Sequence, residues 1–262
     1  MYHITQLYVY PVKSLGGISL ETAQLSESGI SHDRHWMLVD ESGRFISQRE
    51  IPELSLFKMS VTDGYFTVDY QGEVLRLEVS TTQTEETECV LFDDTLIAIK
   101  ERKDYSEWFS DQLGQSVNLV RRAPNFRRHV KNHPGSVINF PDGGQYLLLG
   151  QGSLDKLNAQ LDTPLPINRF RPNIVFSKGP AHAEDDWHKI TIGDTHFEIT
   201  KACGRCKITT VDQESAVVGK EPLSTLSQYR KFGNSVLFGQ YLKLVDGTHK
   251  TLGVGDVLEV KK

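Results

Sequence analysis

Cysteine is scarce: Cys89, Cys203 and Cys206 are the only three in 262 residues. Three thiols cannot staple a chain of this length, so a disulfide scaffold is excluded and a reducing compartment is expected. Long apolar runs are missing too. The longest candidates, such as Tyr146-Leu147-Leu148-Leu149, are strand-sized and fall far short of the roughly 18 apolar residues of a membrane helix. The start, Met1-Tyr2-His3-Ile4-Thr5, lacks the basic opening and apolar core of a signal peptide, so the expected location is cytoplasmic, with no membrane partner. Positive charge is not in excess. Lys and Arg number 29 against 34 Asp and Glu, a net charge of −5, which argues against a dedicated nucleic-acid protein. Gly-x-Ser-x-Gly and His-Glu-x-x-His are both absent, leaving esterase and zincin chemistry without residues.

What is present is an ordinary globular balance: 38% hydrophobic residues and 21 glycines. Most segments read as strands. Phe66, Val68 and Tyr70 alternate with polar neighbours, and after Gln71-Gly72-Glu73 so do Leu75, Leu77 and Val79, as in a hairpin with one buried face. Ile190-Thr191-Ile192, Gly193-Asp194 and His196 to Ile199 repeat the pattern, and Gly253 to Val260 reads as a last strand entered through a turn. Thr84-Glu85-Glu86-Thr87-Glu88 reads as a solvated edge or loop.

Helices are few and short. One spans Ser106 to Leu113 and stops at Gly114; a second carries Leu154, Leu157 and Leu161 on one stripe behind a Ser153 cap; a third opens at Pro222 and closes at Gly233. The expected fold is mainly β with a few short helices (α+β), of barrel or sandwich type. A boundary is expected near residues 117–124, dividing the chain into 1–120 and 121–262.

Chemistry concentrates in a few places. Cys203-Gly204-Arg205-Cys206 admits four readings: a zinc site, which lacks further ligands; a thioredoxin-type pair, which should open a helix; one thiolate on a soft transition metal; or two buried small residues in a sheet. The β-branched Ile208-Thr209-Thr210-Val211 that follows puts the pair in or beside strands. Gly150-Gln151-Gly152-Ser153 fails as a dinucleotide fingerprint because Asp155 stands where a third glycine belongs; it remains a tight strand-to-helix turn able to offer amides to an anion. Arg121, Arg122, Arg127, Arg128, His129, Lys131 and His133 form a basic run with no acid between Asp111 and Asp142, readable as a solvated face or an anion funnel. Arg169-Phe170-Arg171-Pro172-Asn173 offers two guanidinium groups and an amide for phosphate or a pterin edge. Glu184-Asp185-Asp186-Trp187 reads as a loop capping a barrel end.

Several of these motifs fall into one ordered set. Tyr10-Pro11-Val12-Lys13-Ser14, Asp33-Arg34, Ser47-Gln48-Arg49, Phe140-Pro141-Asp142, Phe170-Arg171-Pro172-Asn173, Glu184 to Trp187, Cys203 to Asp212, Glu221-Pro222-Leu223 and Phe238-Gly239-Gln240 follow in sequence. In these the chain resembles the MOSC-domain proteins, and among them the amidoxime-reducing component and its bacterial relatives. The resemblance implies an N-terminal MOSC-associated β-barrel domain, a C-terminal MOSC β-barrel domain, and a molybdenum–pterin cofactor in the cleft between them. It implies Cys203 as the metal ligand, with Cys206 as second choice. Lys13, Ser14, Arg34, Arg171 and Asn173 would hold the pterin and its phosphate, with Asp142 and Arg49 near the metal.

The implied activity is that of a molybdenum-dependent oxidoreductase. It would reduce N-hydroxylated small molecules (amidoximes, hydroxylamines, N-hydroxylated bases) with electrons from a separate ferredoxin-like or flavoprotein donor. The alternatives are a carrier of molybdenum cofactor or its sulfur, and a metal-free anion-binding module. No iron–sulfur cluster is expected with three cysteines, nor an appended ferredoxin-like domain, a membrane anchor, pyridoxal phosphate or a nucleic-acid partner.

Overall fold

Period-two alternation becomes strand structure where it was expected, in a computed structural model describing residues 1–79, 81–130, 133–177, 179–246 and 250–261. Tyr65–Tyr70 pairs with Glu73–Leu77 around a turn in which Gln71 and Gly72 both have positive φ (53° and 90°). That geometry matches the right-handed twist of the flanking strands. Phe66, Val68 and Leu77 are buried, whereas Val74 on the other face is 52% exposed. Lys189–Ile192 and Thr195–Arg205 form the second expected hairpin, turning at Gly193 (φ 58°). Gly253 belongs to a separate short strand, Thr251–Gly253, and the last strand is Val257–Lys261.

Seven strands close into a ring. Tyr146–Gly150 runs parallel to Ile174–Phe176, which pairs with Tyr2–Val9, then Val257–Lys261, Lys189–Ile192, Thr195–Arg205 and Ser235–Asp246; the last returns to Tyr146–Gly150. Closure leaves this barrel without a free edge. Its inside is filled by residues such as Leu7, Leu148, Ile174, Phe176, Ile192, Phe197, Leu242 and Leu258. Six of the seven strands lie beyond residue 145, but the other is the chain's first. Most of the remaining N-terminal strands make a half-barrel. Trp36–Val39, Asn118–Arg122, Asp94–Lys100 and Glu86–Leu91 form one sheet, with Glu86–Leu91 at its edge, and the meander Lys58–Thr62, Tyr65–Tyr70, Glu73–Leu77 forms another. The fold is thus mainly β, as expected. No helix among the described residues is long and apolar enough to cross a membrane.

The helices differ from expectation in their ends. The first runs Lys103–Leu113, three residues earlier than expected, and stops at Gly114 (φ 64°). The second, Gln151–Asn158, begins before Ser153, so Ser153 is not its cap. The Ser153 hydroxyl is buried and donates to the Glu184 carboxylate (2.9 Å), a partner 31 residues away. The third spans Leu223–Tyr229, and Gly233 (φ 57°) instead turns Lys231–Phe232 back onto Ser235–Asp246.

Candidate functional site

Three departures from regular strand geometry build one cleft. Beyond Tyr2–Val9 the chain bends through Lys13 and Ser14 (φ 71°); Arg34 (φ 45°) is tied back by its N–H to the Tyr10 carbonyl (2.7 Å); Arg171 (φ 53°) ends the 3₁₀ turn Ile167–Phe170. Non-glycine residues rarely occupy this left-handed region without a functional or packing reason. The Thr195–Arg205 strand then carries Cys203 and Arg205 to the same place. Together these segments enclose about 420 Å³, and Lys13, Ser14, Arg34, Arg49, Asp142, Arg171, Asn173, Cys203 and Cys206 all line it.

The cleft is strongly cationic. Lys13, Arg34, Arg49, Arg169, Arg171, Lys201 and Arg205 face it, against the single carboxylate of Asp142 among the described residues. Asp142 is held between Lys13 and Arg49 (3.0 Å to Nη2). Burial alone would raise the Asp142 carboxyl, but the two cations outweigh it and hold it well below the usual carboxylate range. Burial also depresses Lys13, against the pull of Asp142.

Arg34 and Arg171 both pack on the Tyr10 ring, their guanidinium carbons 4.2 and 4.3 Å from its centroid. Arg34 donates to both oxygens of Asp33 (2.8 and 2.6 Å). Arg171 has no carboxylate of its own. Burial, and then the neighbouring Arg34 charge, push its pKa down to about 10. Arg171 Nη2, Arg169 Nε and Nη1, and Arg205 Nε are buried without a hydrogen-bond partner. Unpaired buried guanidinium donors are costly, and a polyanionic ligand such as a phosphorylated pterin would satisfy them. The donor set fits that group.

Asn173 differs from its expected role. Its carbonyl accepts from the Leu147 N–H (3.1 Å) and Arg34 Nη1 (3.4 Å), while its amide donates to the Tyr8 carbonyl (3.2 Å) and Asp33 (3.1 Å). All four hydrogen-bonding sites of the side chain are therefore filled by protein. Asn173 positions Arg34 and Asp33 rather than reaching for a ligand. Ser14 is held by its carbonyl, which accepts from Gln48 Nε2 (2.6 Å).

The two cysteines are not equivalent. Cys203 is 2% exposed, and its sulfur accepts from Arg205 Nη1 (2.8 Å); Cys206 is half-buried at the wall, with Arg49 Nη2 at 3.4 Å. Cys203 lies within the strand Thr195–Arg205 and Cys206 immediately precedes the 3₁₀ turn Lys207–Thr210, so no α-helix N-terminus activates a thioredoxin-type thiol. Among the described residues no group of three or more His, Cys, Asp or Glu could hold a metal.

Among the lining residues missed in the sequence are Tyr241, Phe92 and the cation Lys201. Tyr241 hydrogen-bonds Cys203, and burial raises its pKa well above that of free tyrosine. Its ring packs so closely that a Cβ on Gly144 would lie 2.6 Å from it. The facing Gly143-Gly144 pair was the available signal.

Other expected anion sites are occupied by the protein itself. The Gly150 amide donates to Glu184 (3.2 Å), a buried internal carboxylate, and a Cβ on Gly152 would sit 2.2 Å from the Gly179 carbonyl. The glycines there permit close packing rather than phosphate binding. In the basic run, Arg121 pairs with Glu101 (3.1 Å) and Arg128 with Asp94 (2.8 Å), and neither lines the cleft. Lys131 lies outside the described residues.

Comparison with known proteins identifies two family domains in the chain. A MOSC N-terminal beta barrel domain matches residues 1–116 and a MOSC domain matches residues 135–259. The chain is 30% identical to mitochondrial amidoxime-reducing component 1 of Mus musculus, over 97% of the chain and 80% of that protein. The Homo sapiens counterpart is 31% identical, over 97% and 81%. Molybdenum cofactor sulfurase of Arabidopsis thaliana is 30% identical over 97% of the chain, which spans only 35% of that protein's length.

Proposed function

The chain belongs to the MOSC family, carrying its N-terminal beta barrel domain and its MOSC domain in tandem, and from that premise we propose a molybdenum-cofactor-dependent oxidoreductase that reduces N-hydroxylated compounds. One observation carries the proposal: buried, unpartnered guanidinium donors converge on the same cleft as an accessible cysteine sulfur. The first would satisfy a phosphorylated pterin, the second a soft metal. The relatives named for amidoxime reduction support the substrate class.

Cys206, rather than Cys203, is the ligand this reading favours. Cys206 holds a half-buried sulfur at the cleft wall that would ligate a metal, with only a long contact to Arg49 (3.4 Å), whereas the Cys203 sulfur is enclosed and accepts from Arg205 at 2.8 Å. Arg171 and Arg169 would grip the phosphate, and Arg34, held by Asp33 and Asn173, would fix its orientation. Lys13, with its ammonium donating to the Phe140 carbonyl (3.0 Å) and to Asp142, ties the half-barrel to the cleft floor. When bound, the cofactor would supply the two-electron chemistry. The overall reaction takes up two electrons and two protons, breaks the N–O bond and releases water, so a separate electron donor must dock.

The test is molybdenum and pterin content of the full chain from a cofactor-competent host, with turnover of benzamidoxime under a chemical reductant. Wild type should carry both, Cys206→Ser should lose molybdenum, and Cys203→Ser should retain it. A wild-type chain free of molybdenum would overturn the proposal; cofactor retained without turnover would point to a carrier.

A further inference from the structure

One aromatic ring in this cationic cleft has no part in holding an anion. Glu86–Leu91 and Asp94–Lys100 form a hairpin with Leu91 opposite Asp94, leaving Phe92-Asp93 as its tip. Phe92 has φ 57° and Asp93 is not left-handed. Glycine is the ordinary occupant of a hairpin position that is left-handed only at its first tip residue. A phenylalanine there strains the backbone.

The strain is not compensated by burial. Phe92 remains 40% exposed, although its ring leans on Phe45 (4.7 Å between centroids). Arg49 and Lys13 each lie 5.3 Å from the ring centroid, so the exposed part belongs to the cleft mouth. Among the described residues nine non-glycine positions have positive φ, and four of them (Ser14, Arg34, Phe92 and Arg171) line this one cleft. The other three present polar or charged groups. Phe92 presents a partly exposed apolar ring beside the Lys13 and Arg49 charges, which offers nothing to a phosphate and much to a planar conjugated group.

We infer that Phe92 is a specificity-determining residue that stacks against the aryl or other planar conjugated part of the substrate as its N–O group enters the cleft. The inference rests on the reductase reading above. It predicts selectivity for N-hydroxylated compounds bearing a conjugated ring over those without one.

Phe92→Gly tests it with a residue the tip backbone favours, and Phe92→Tyr retains the ring. Against benzamidoxime, Phe92→Gly should raise KM about three- to tenfold relative to hydroxylamine, with little change in kcat, and Phe92→Tyr should behave as wild type. An unchanged ratio of the two KM values would overturn the inference. A second measurement does not depend on turnover: a ligand-observed NMR titration of the full chain with benzamide, a planar amide lacking an N–O bond. Binding should weaken by the same factor in Phe92→Gly. Equal benzamide affinity in the two proteins would overturn the role of Phe92, whereas missing molybdenum or turnover with benzamide still discriminated would overturn only the reductase reading.

Discussion

Arg171→Met should make the unliganded protein more stable and less able to hold an anion. The magnitude follows from the environment of Arg171. Its pKa falls to about 10, well below the ordinary guanidinium range, and at about 1.4 kcal/mol per unit that amounts to roughly 3 kcal/mol of penalty for the charged form. At neutral pH the group is charged folded and unfolded, so the full penalty opposes folding. Partial exposure of the side chain halves it to about 1.5–2 kcal/mol. Losing the contact with Tyr10 returns about 0.5–1 kcal/mol. The net gain is about 1 kcal/mol, or roughly 2–4 °C in Tm for a chain of this size. Methionine takes the same left-handed backbone at the same cost, so strain cancels. Thermal melts with and without pyrophosphate provide the assay. Wild type should gain about 2.7 kcal/mol at a ligand concentration a hundred times Kd, and Arg171→Met far less, so the order of the two melts reverses. A lower Tm for the variant without ligand, or an equal gain from pyrophosphate, would refute the view of Arg171 as an unpaired cation awaiting an anion.

Asp142→Asn should destabilise the chain by roughly 2 kcal/mol, read as a lower urea midpoint. It strips the buried Lys13 ammonium of its carboxylate, and the 38% exposure of Asp142 halves the usual cost of about 3–5 kcal/mol. Stability should also fall on mild acidification. Burial depresses His35 to about 3 and His182 to about 4, so below about 6.5 the unfolded chain binds protons that the folded chain refuses. Above about pH 6.5 the urea midpoint should be flat; between about 6.5 and 4 it should drop, and His35→Phe should soften the drop. Gly152→Ala forces a Cβ to 2.2 Å from the Gly179 carbonyl, and a Tm loss worth roughly 1–3 kcal/mol is expected.

Local features were legible and distant ones were not. The two hairpins could be read because alternation and a glycine turn are both properties of a dozen contiguous residues. The Ser153 cap was misread because the hydroxyl's true partner, Glu184, is visible only once the barrel is closed. Asn173 was expected to contact a ligand because its neighbours are arginines; nothing local reveals that Tyr8, Asp33, Arg34 and Leu147 use up its amide. The cleft residues came from ordered motifs, each weak alone, and the structure brings them together. That Cys203 is buried and Cys206 only half-buried is a difference which a spacing of three residues cannot encode. Tyr241 and Phe92 were missed because a strand tyrosine and a hairpin-tip phenylalanine carry no chemical signature of their own.

The position of Tyr2–Val9 between Ile174–Phe176 and Val257–Lys261 sets a timetable for synthesis. At roughly 5–20 residues per second, the first strand leaves the ribosome about 10–50 s before Leu258, the residue that pairs with Tyr2. For all that time an eight-residue strand with buried positions at Ile4, Leu7 and Val9 has no lasting partner on one side. Lys13, Ser14 and Arg34 follow it on the same arm, so the cleft cannot assemble until the barrel is zipped by its last strand. A nascent chain would therefore complete this cleft only after Leu258 has emerged, and expression conditions that lengthen elongation would expose the waiting strand to aggregation.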